Sequence, residues 1–386
     1  MLRYVVTGFL LVIVSGCAFL GDKDNTAKPV PLESIKTRLS SHKLWSHDTG
    51  KGTDQQLLKL VPAVSAGQVT VADRGGRVMA FDLDSGSQLW KTDTGAALSA
   101  GPGVGEGLAL VGTSDGELIA INTTDGSIAW RVPVSSEILA LPAIYAGIVV
   151  MQTVDGNVSG YDSTTGERLW VFDRTVPVLT LRGTSSPIIV DGIALIGFAA
   201  GKLAALNVET GTPLWEASIS VPSGRSEIDR MVDIDADPVL RDGVLYVGSF
   251  QGELAAIDLR SRGSVLWKRK ISTYSGLTVD ASQLYVTDDV GNIWALESAS
   301  GRSMWKQDKL QHRKVTGPVV LENAIAVGDY EGYVHLLSKQ DGSLIGRFKI
   351  DSKGIQSVPV VVEDKLVVLG AGGKIAVYTH TQPDQK

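Results

Sequence analysis

The residues able to do chemistry are few and scattered. His42, His47, His312, His335 and His380 are the five histidines of a 386-residue chain. None makes the His-x-x-x-His pairing that places two imidazoles on one metal. Asp233-x-Asp235-x-Asp237 opens like a calcium loop, whose alternate oxygens surround the ion. Pro238 stands where that loop turns on glycine, however, and Val244 where it needs a bidentate glutamate. Gly103-x-Gly105-x-Gly107 and Gly370-x-Gly372-Gly373-Lys374 fall at strand turns and open no helix, so they lack the donors of a phosphate cradle. No serine sits in a Gly-x-Ser-x-Gly elbow. The expectation is a protein without catalytic residues, metal or cofactor.

Two stretches hold residues suited to recognition. Residues 173–185 (DRTVPVLTLRGTS) carry Leu179, Leu181 and Arg182, and residues 219–237 (ISVPSGRSEIDRMVDIDAD) carry Asp233 and Asp235. Apolar anchors beside an arginine and a pair of carboxylates make a small interface with an ionic rim, or a strand edge that accepts a partner strand. The competing reading is internal: the leucines plug the base of the loop and Arg182 pairs with Asp233 or Asp235. Residue types alone leave both open.

The elements that carry these stretches are repeats. Asp115–Trp130 (DGELIAINTTDGSIAW) recurs as 75–90, 155–170, 200–215, 251–267 and 290–305, with a seventh copy at 331–346 whose tryptophan is replaced by Gly346. Within the unit, Glu117 to Asn122 alternates as a pleated strand does, Thr123-Thr124-Asp125-Gly126 turns, and Ser127 to Val132 returns. Two more short apolar runs precede each copy. Four-stranded units at a spacing of roughly 40 residues are the signature of a β-propeller. An eighth unit, from Ser357 to His380, holds three strands, and His42 to Asp48 looks like the last strand of a repeat with nothing before it. The predicted fold is all-β: an eight-bladed β-propeller over 41–381, closed by pairing the two terminal strands, with 382–386 as a tail. Closure removes the exposed sheet edges that template aggregation.

Seven of the eight tryptophans, at 45, 90, 130, 170, 215, 267 and 305, share one place in the repeat. A ring repeated in every blade is a packing element rather than a ligand platform. Trp294 stands one strand earlier and is read as a gap filler. Trp90, Trp130 and Trp170 follow one another at 40-residue intervals, but Trp215 comes 45 residues after Trp170, and Trp267 comes 52 after Trp215. The extra length lies in 173–185 and 219–237. Both link the outer strand of one blade to the inner strand of the next, so both emerge on one face at neighbouring blades, where repeat proteins bind partners.

The N-terminus reads as an address. A lone Arg3, an apolar run from Val5 to Val14 too short to span a bilayer, and Ser15-Gly16-Cys17 make 1–16 a cleaved signal peptide. Small residues before a cysteine resemble the lipobox of bacterial lipoproteins. That resemblance makes Cys17, the only cysteine, the lipidated residue, and Ala18 after it fits sorting to the outer membrane. Residues 17–40 are polar with Pro29 and Pro31, and read as a flexible tether. A net charge of −6 argues against nucleic acid and anionic lipid as partners.

The Gly-x-Leu-x-Ala-x-Asn/Asp and Thr-Gly-x-x-Leu-Trp repeat resembles pyrroloquinoline-quinone-type propellers, a likeness specific for fold and weak for function. The dehydrogenases of that class often carry a vicinal disulfide, which one cysteine cannot form. Together with the lipobox, the short tether and the LTLRG and VDIDADP stretches, the chain resembles the BamB family, lipoproteins of the outer-membrane β-barrel assembly machinery of Gram-negative bacteria. The resemblance implies a periplasm-facing, lipid-anchored, non-enzymatic scaffold. Such a scaffold binds the POTRA domains of BamA through Leu179, Leu181, Arg182, Asp233 and Asp235, belongs to the BAM complex, and assists insertion of β-barrel clients. The alternatives are a periplasmic quinone-dependent dehydrogenase and an envelope polysaccharide-binding propeller.

Overall fold

The computed structural model describes residues 26–381. Cys17, the signal peptide and the 382–386 tail lie outside them. Apart from one 3-10 turn at Ala199–Gly201, the regular elements among the described residues are strands, arranged in eight sheets. Blade 1 is built from Ala63–Ser65, Gln68–Ala72, Arg77–Asp82 and Gln88–Asp93, ordered from the inside outwards. Blades 2 to 7 repeat that order over 98–133, 143–172, 188–218, 239–269, 277–307 and 319–349. Blade 8 takes three strands from 360–381 and its outermost, Ser40–Asp48, from the other end of the chain. The terminal strands pair antiparallel from Ser40 opposite Thr381 to Asp48 opposite Lys374, so the ring closes as the alternation predicted.

The tryptophan seams explain the period. In each outer strand that carries the tryptophan a bulge falls immediately before the ring, as between Ile128 and Trp130, which leaves the preceding residue unpaired and turns it outwards. Leu89, Leu169 and Leu214 are half exposed for that reason, while the tryptophans after them point into the gap between blades. Trp170 donates Nε1–H to the Val208 carbonyl of the next blade at 2.7 Å. A Cβ on Gly211 would lie 2.4 Å from the same ring, at a backbone φ of +69° that glycine tolerates. Trp90, Trp130, Trp267 and Trp305 make the same indole-to-carbonyl bond one blade on. Between the seams, middle strands of neighbouring blades interlock: Leu195, Leu203 and Ala205 of blade 4 bury against Leu245, Val247 and Ile257 of blade 5.

Blade 7 lacks the tryptophan, and the N-terminal segment fills the place. Arg38 and Leu39 both donate their backbone N–H to the Ile345 carbonyl, and the Leu39 oxygen lies 2.6 Å from where a Cβ on Gly346 would sit. Leu39 is buried among Leu336, Ile345 and Tyr378. The strap continues outwards: Val30 exchanges hydrogen bonds with Gln311 and Arg313, the Glu33 carbonyl accepts from Arg347, and the Glu33 carboxylate pairs with Lys309. Arg313 is held in turn by buried Asp329, which also bonds His335. Of the span read as a free tether, Val30 to Leu39 is thus docked on blades 6 and 7. Composition hid this, because a polar, proline-bearing segment shows no strand alternation even when its few apolar residues find a groove.

Candidate functional site

The two long loops leave blades 3 and 4 on one face and are tied to each other. Asp233 is the knot: its carboxylate accepts the Leu181 N–H at 2.8 Å and the Ala200 N–H at 3.2 Å, and its own carbonyl accepts from Phe250. Burial pushes the Asp233 carboxyl above its ordinary value, and the two N–H bonds pull it back. Ala200 lies in the left-handed region at φ +58°, which aims its N–H at Asp233. Asp233 therefore faces inwards as a structural acceptor and forms no part of a charged rim.

Arg182 makes neither of the internal pairs expected of it. Its guanidinium bonds Glu137 of the blade 2 to blade 3 connection at 2.6 Å and the Leu57 carbonyl at 3.1 Å. Leu57 belongs to the crossover 49–62, which leaves blade 8 and lies over the mouth of the ring. There Lys59–Leu60 forms a short parallel pairing with Ala100–Gly101 of blade 2. Lys59 reaches the Thr184 carbonyl at 2.9 Å and the Asp237 carboxylate at 2.5 Å. Asp237 also accepts the Ser186 N–H. The three alternating aspartates thus have three different tasks and do not converge. No cluster of three or more metal-ligating side chains occurs among the described residues.

Leu179 and Leu181 do not follow the plugging reading. Leu179 is exposed and Leu181 half-buried, with Val178 fully exposed beside them and Leu57 at 70% exposure on the neighbouring crossover. Neither leucine plugs a core. The stretch is irregular rather than extended into a strand, so it offers side chains, held by the Asp233 bond, and no free sheet edge.

Beneath the loops lies a cavity of about 350 Å³, lined by apolar residues that include Val154, Val176 and Phe198 and by polar ones that include Gln152, Thr184 and Asp235. Arg174 at its edge pairs with Glu216 and stacks over Phe198. Burial, then the charge of Asp233, push the Asp235 carboxyl up to about 7; Lys59 pulls it down and Asp237 pushes it up. Its Oδ2 has no hydrogen-bond partner in the protein.

With this geometry, the sequence profile described as outer membrane protein assembly factor BamB matches residues 74–307. The outer membrane protein assembly factor BamB of Alkalilimnicola ehrlichii is 52% identical over 91% of each chain. The chain belongs to the BamB family of outer-membrane protein assembly factors. The crystal structure of BamB from Moraxella catarrhalis superposes with a TM-score of 0.81 at 29% identity, covering 88% of this chain and all of that one. A europium-containing methanol dehydrogenase, at TM-score 0.73 and 14% identity, covers 90% of this chain and 95% of its own and shares the fold alone.

Glu137, Lys59 and Leu57 are the candidate-site residues that sequence reasoning missed, and Asp237 entered it only as a rejected calcium ligand. One signal was present for the crossover: Trp45 to Trp90 is 45 residues, as long as the interval that marked the first loop. Glu137 gives none, since its connection has the ordinary length. Trp294 is half-buried, donates Nε1–H to Asp288 and lies under Arg269 and Lys306, as a gap filler does.

Proposed function

We propose that this assembly factor is a non-enzymatic scaffold of the BAM complex. Lipidated at Cys17 in the outer membrane and facing the periplasm, it grips the POTRA domains of BamA with the face formed by 173–185 and 219–237 and assists insertion of β-barrel clients. The observation that carries the reading is the Asp233 knot. It spends a buried carboxylate on holding the Leu181 backbone, and so presents Leu179, Val178 and Leu57 as an ordered apolar patch beside Arg182. Apolar anchors held in place bind at lower entropic cost than a mobile loop. In this division Leu179 and Arg182 face the partner, Leu181 and Asp233 position them, and Asp235 lies in the cavity below.

The strap bears on the anchor. With Val30 fixed near Gln311, the span from Cys17 to the docked strap is a dozen or so residues, a reach of roughly 40 Å at ~3.3 Å per extended residue. Residues 308–318 join an outer strand to the next inner strand, as the two long loops do, so the tether departs on the same face as the proposed partner site.

The test is calorimetric binding of the chain from Ala18 onward to purified POTRA domains, beside a variant carrying Leu179→Ala, Leu181→Ala, Arg182→Ala, Asp233→Ala and Asp235→Ala. Circular dichroism checks that the variant keeps its fold. Binding by the parent and loss of at least tenfold in the folded variant is the expected result. Equal binding by both removes the site, and no binding by the parent removes the scaffold reading.

A further inference from the structure

In the docking face, the crossover 49–62 is the fixed side and the two long loops are the side that has to be held. Lys59 and Leu60 pair with Ala100 and Gly101 of blade 2, and the Val61 N–H donates to the Gly101 carbonyl. Leu58 and Leu60, on either side of Lys59, are buried in the core between blades 1 and 2. Residues 173–185 and 219–237, by contrast, contain no regular element. Segments of this kind keep one conformation only where specific bonds offset the conformational entropy of ordering them.

Lys59 supplies such bonds to both loops at once. Its Nζ donates to the Thr184 carbonyl at 2.9 Å, at the end of the first loop, and meets the Asp237 carboxylate at 2.5 Å, at the end of the second. Asp237 Oδ1 also accepts the Ser186 N–H. One ammonium and one carboxylate thus close the bases of both loops against the crossover. The Lys59 side chain is only 21% exposed and its head is spent on these two acceptors. Leu57, two residues earlier, is exposed and gives its carbonyl to Arg182. The lysine therefore supports the patch of Leu57, Val178 and Leu179 and contributes little to its surface.

We propose that Lys59 is a positioning residue of the docking face: its ammonium pins both loops to the crossover and so sets where Leu179 stands for the protein partner. The inference rests on the docking reading above and adds to it the residue that holds the site in shape. It makes the face one unit built from connections that lie far apart in the sequence. In Lys59→Met the stem between the two buried leucines is kept, but the Thr184 carbonyl and the Asp237 carboxylate lose their shared donor. The loops then spread over more conformations, and a partner has to order them on binding, which lowers affinity. Folding stability changes little, because Asp237 is 43% exposed and ion pairs open to solvent contribute little to it.

The test has two arms. In the first, hydrogen exchange of the parent and of Lys59→Met is compared with no partner present. Faster exchange over 178–186, with 59–62 unchanged, is expected; exchange over 178–186 equal to the parent's, or acceleration confined to the crossover, overturns the pin. In the second, binding to POTRA domains is measured by calorimetry for the parent, Lys59→Met, Leu179→Ala and the double variant, with a urea midpoint for each. Lys59→Met is expected to bind at least tenfold more weakly at an unchanged midpoint. Added to Leu179→Ala it should cost less than threefold, because the placement of a side chain that is gone no longer matters. Undiminished affinity in Lys59→Met overturns the pin and leaves the docking reading intact. An equal loss in both backgrounds also overturns it, since Lys59 then acts independently of Leu179, and so does a loss matched by a lower urea midpoint. No binding by the parent overturns the docking reading, and the inference with it, whatever the first arm shows.

Discussion

The seams between blades and the cavity under blades 3 to 5 are made from the same repeat with opposite outcomes. At a seam, Trp170 has its indole N–H on a carbonyl and its ring against Gly211, where even a methyl group has no room. Around the cavity, buried side-chain oxygens of Asp235, Gln152 and Thr184 stay unpaired, and burial beside Asp233 holds the Asp235 carboxyl well above its ordinary value. Seams are repeated and serve stability. The cavity occurs where two connections lengthen and a crossover reaches in, and it retains unfavourable groups that a propeller does not need for folding. The difference teaches where the chain spends residues that stability does not need, in the departures from the period, and there the proposed recognition sits.

The largest expected effect is at the seam. Trp170→Ala removes a buried indole, its hydrogen bond and the cover over Gly211, and should cost about 3 to 5 kcal/mol, read as a lower urea midpoint, with site residues distant from that seam untouched. A loss below about 1 kcal/mol would mean that the seams do not set stability.

The cavity should respond with the opposite sign. The folded carboxyl of Asp235 is raised from 3.8 to about 7. The native state therefore holds a proton that the unfolded chain has released, and the stability this confers is full below pH 4 and lost as pH rises towards 7. Asp235→Asn should raise stability at pH 8, with a ceiling on the order of 4 kcal/mol from the size of the shift, and change little at pH 4. Chemical denaturation at the two pH values checks this. A destabilised variant at pH 8 would mean that the carboxylate is already satisfied in the free protein.

The smallest effect is expected at the seam that the chain patches for itself. Leu39→Ala, at the edge of blade 7, should cost about 2 kcal/mol, the low end for a buried leucine. It should also speed hydrogen exchange at the Arg38 and Leu39 amides, which mass spectrometry can follow. Unchanged exchange would show that the strap is held by its polar contacts alone.

Much of the fold was legible because tryptophan, glycine and alternation recur together. A Thr-Gly turn must meet a ring, so the period follows from contact geometry. Ring closure was legible for the same reason, since His42 to Asp48 is a fourth strand without its first three. The strap was not: Leu32 and Leu39 are two apolar residues in a polar segment, and only Gly346 hinted that a seam needed another cover. Of the candidate site, the two stretches that hold Leu179, Leu181, Arg182, Asp233 and Asp235 were marked by the added loop length. Their geometry was not, because Glu137 and Lys59 come from connections that sequence places far away. Arg182 therefore looked free to pair with Asp233, when the fold brings Glu137 to it.

The most direct test of the account is hydrogen exchange of the chain with and without POTRA domains. Added protection within 175–185, 228–237 and 54–60, with the turns at 83–87, 123–127 and 163–167 on the opposite face unchanged, is the predicted result. Protection confined to those opposite turns would contradict the claim that this propeller binds through its departures from the repeat.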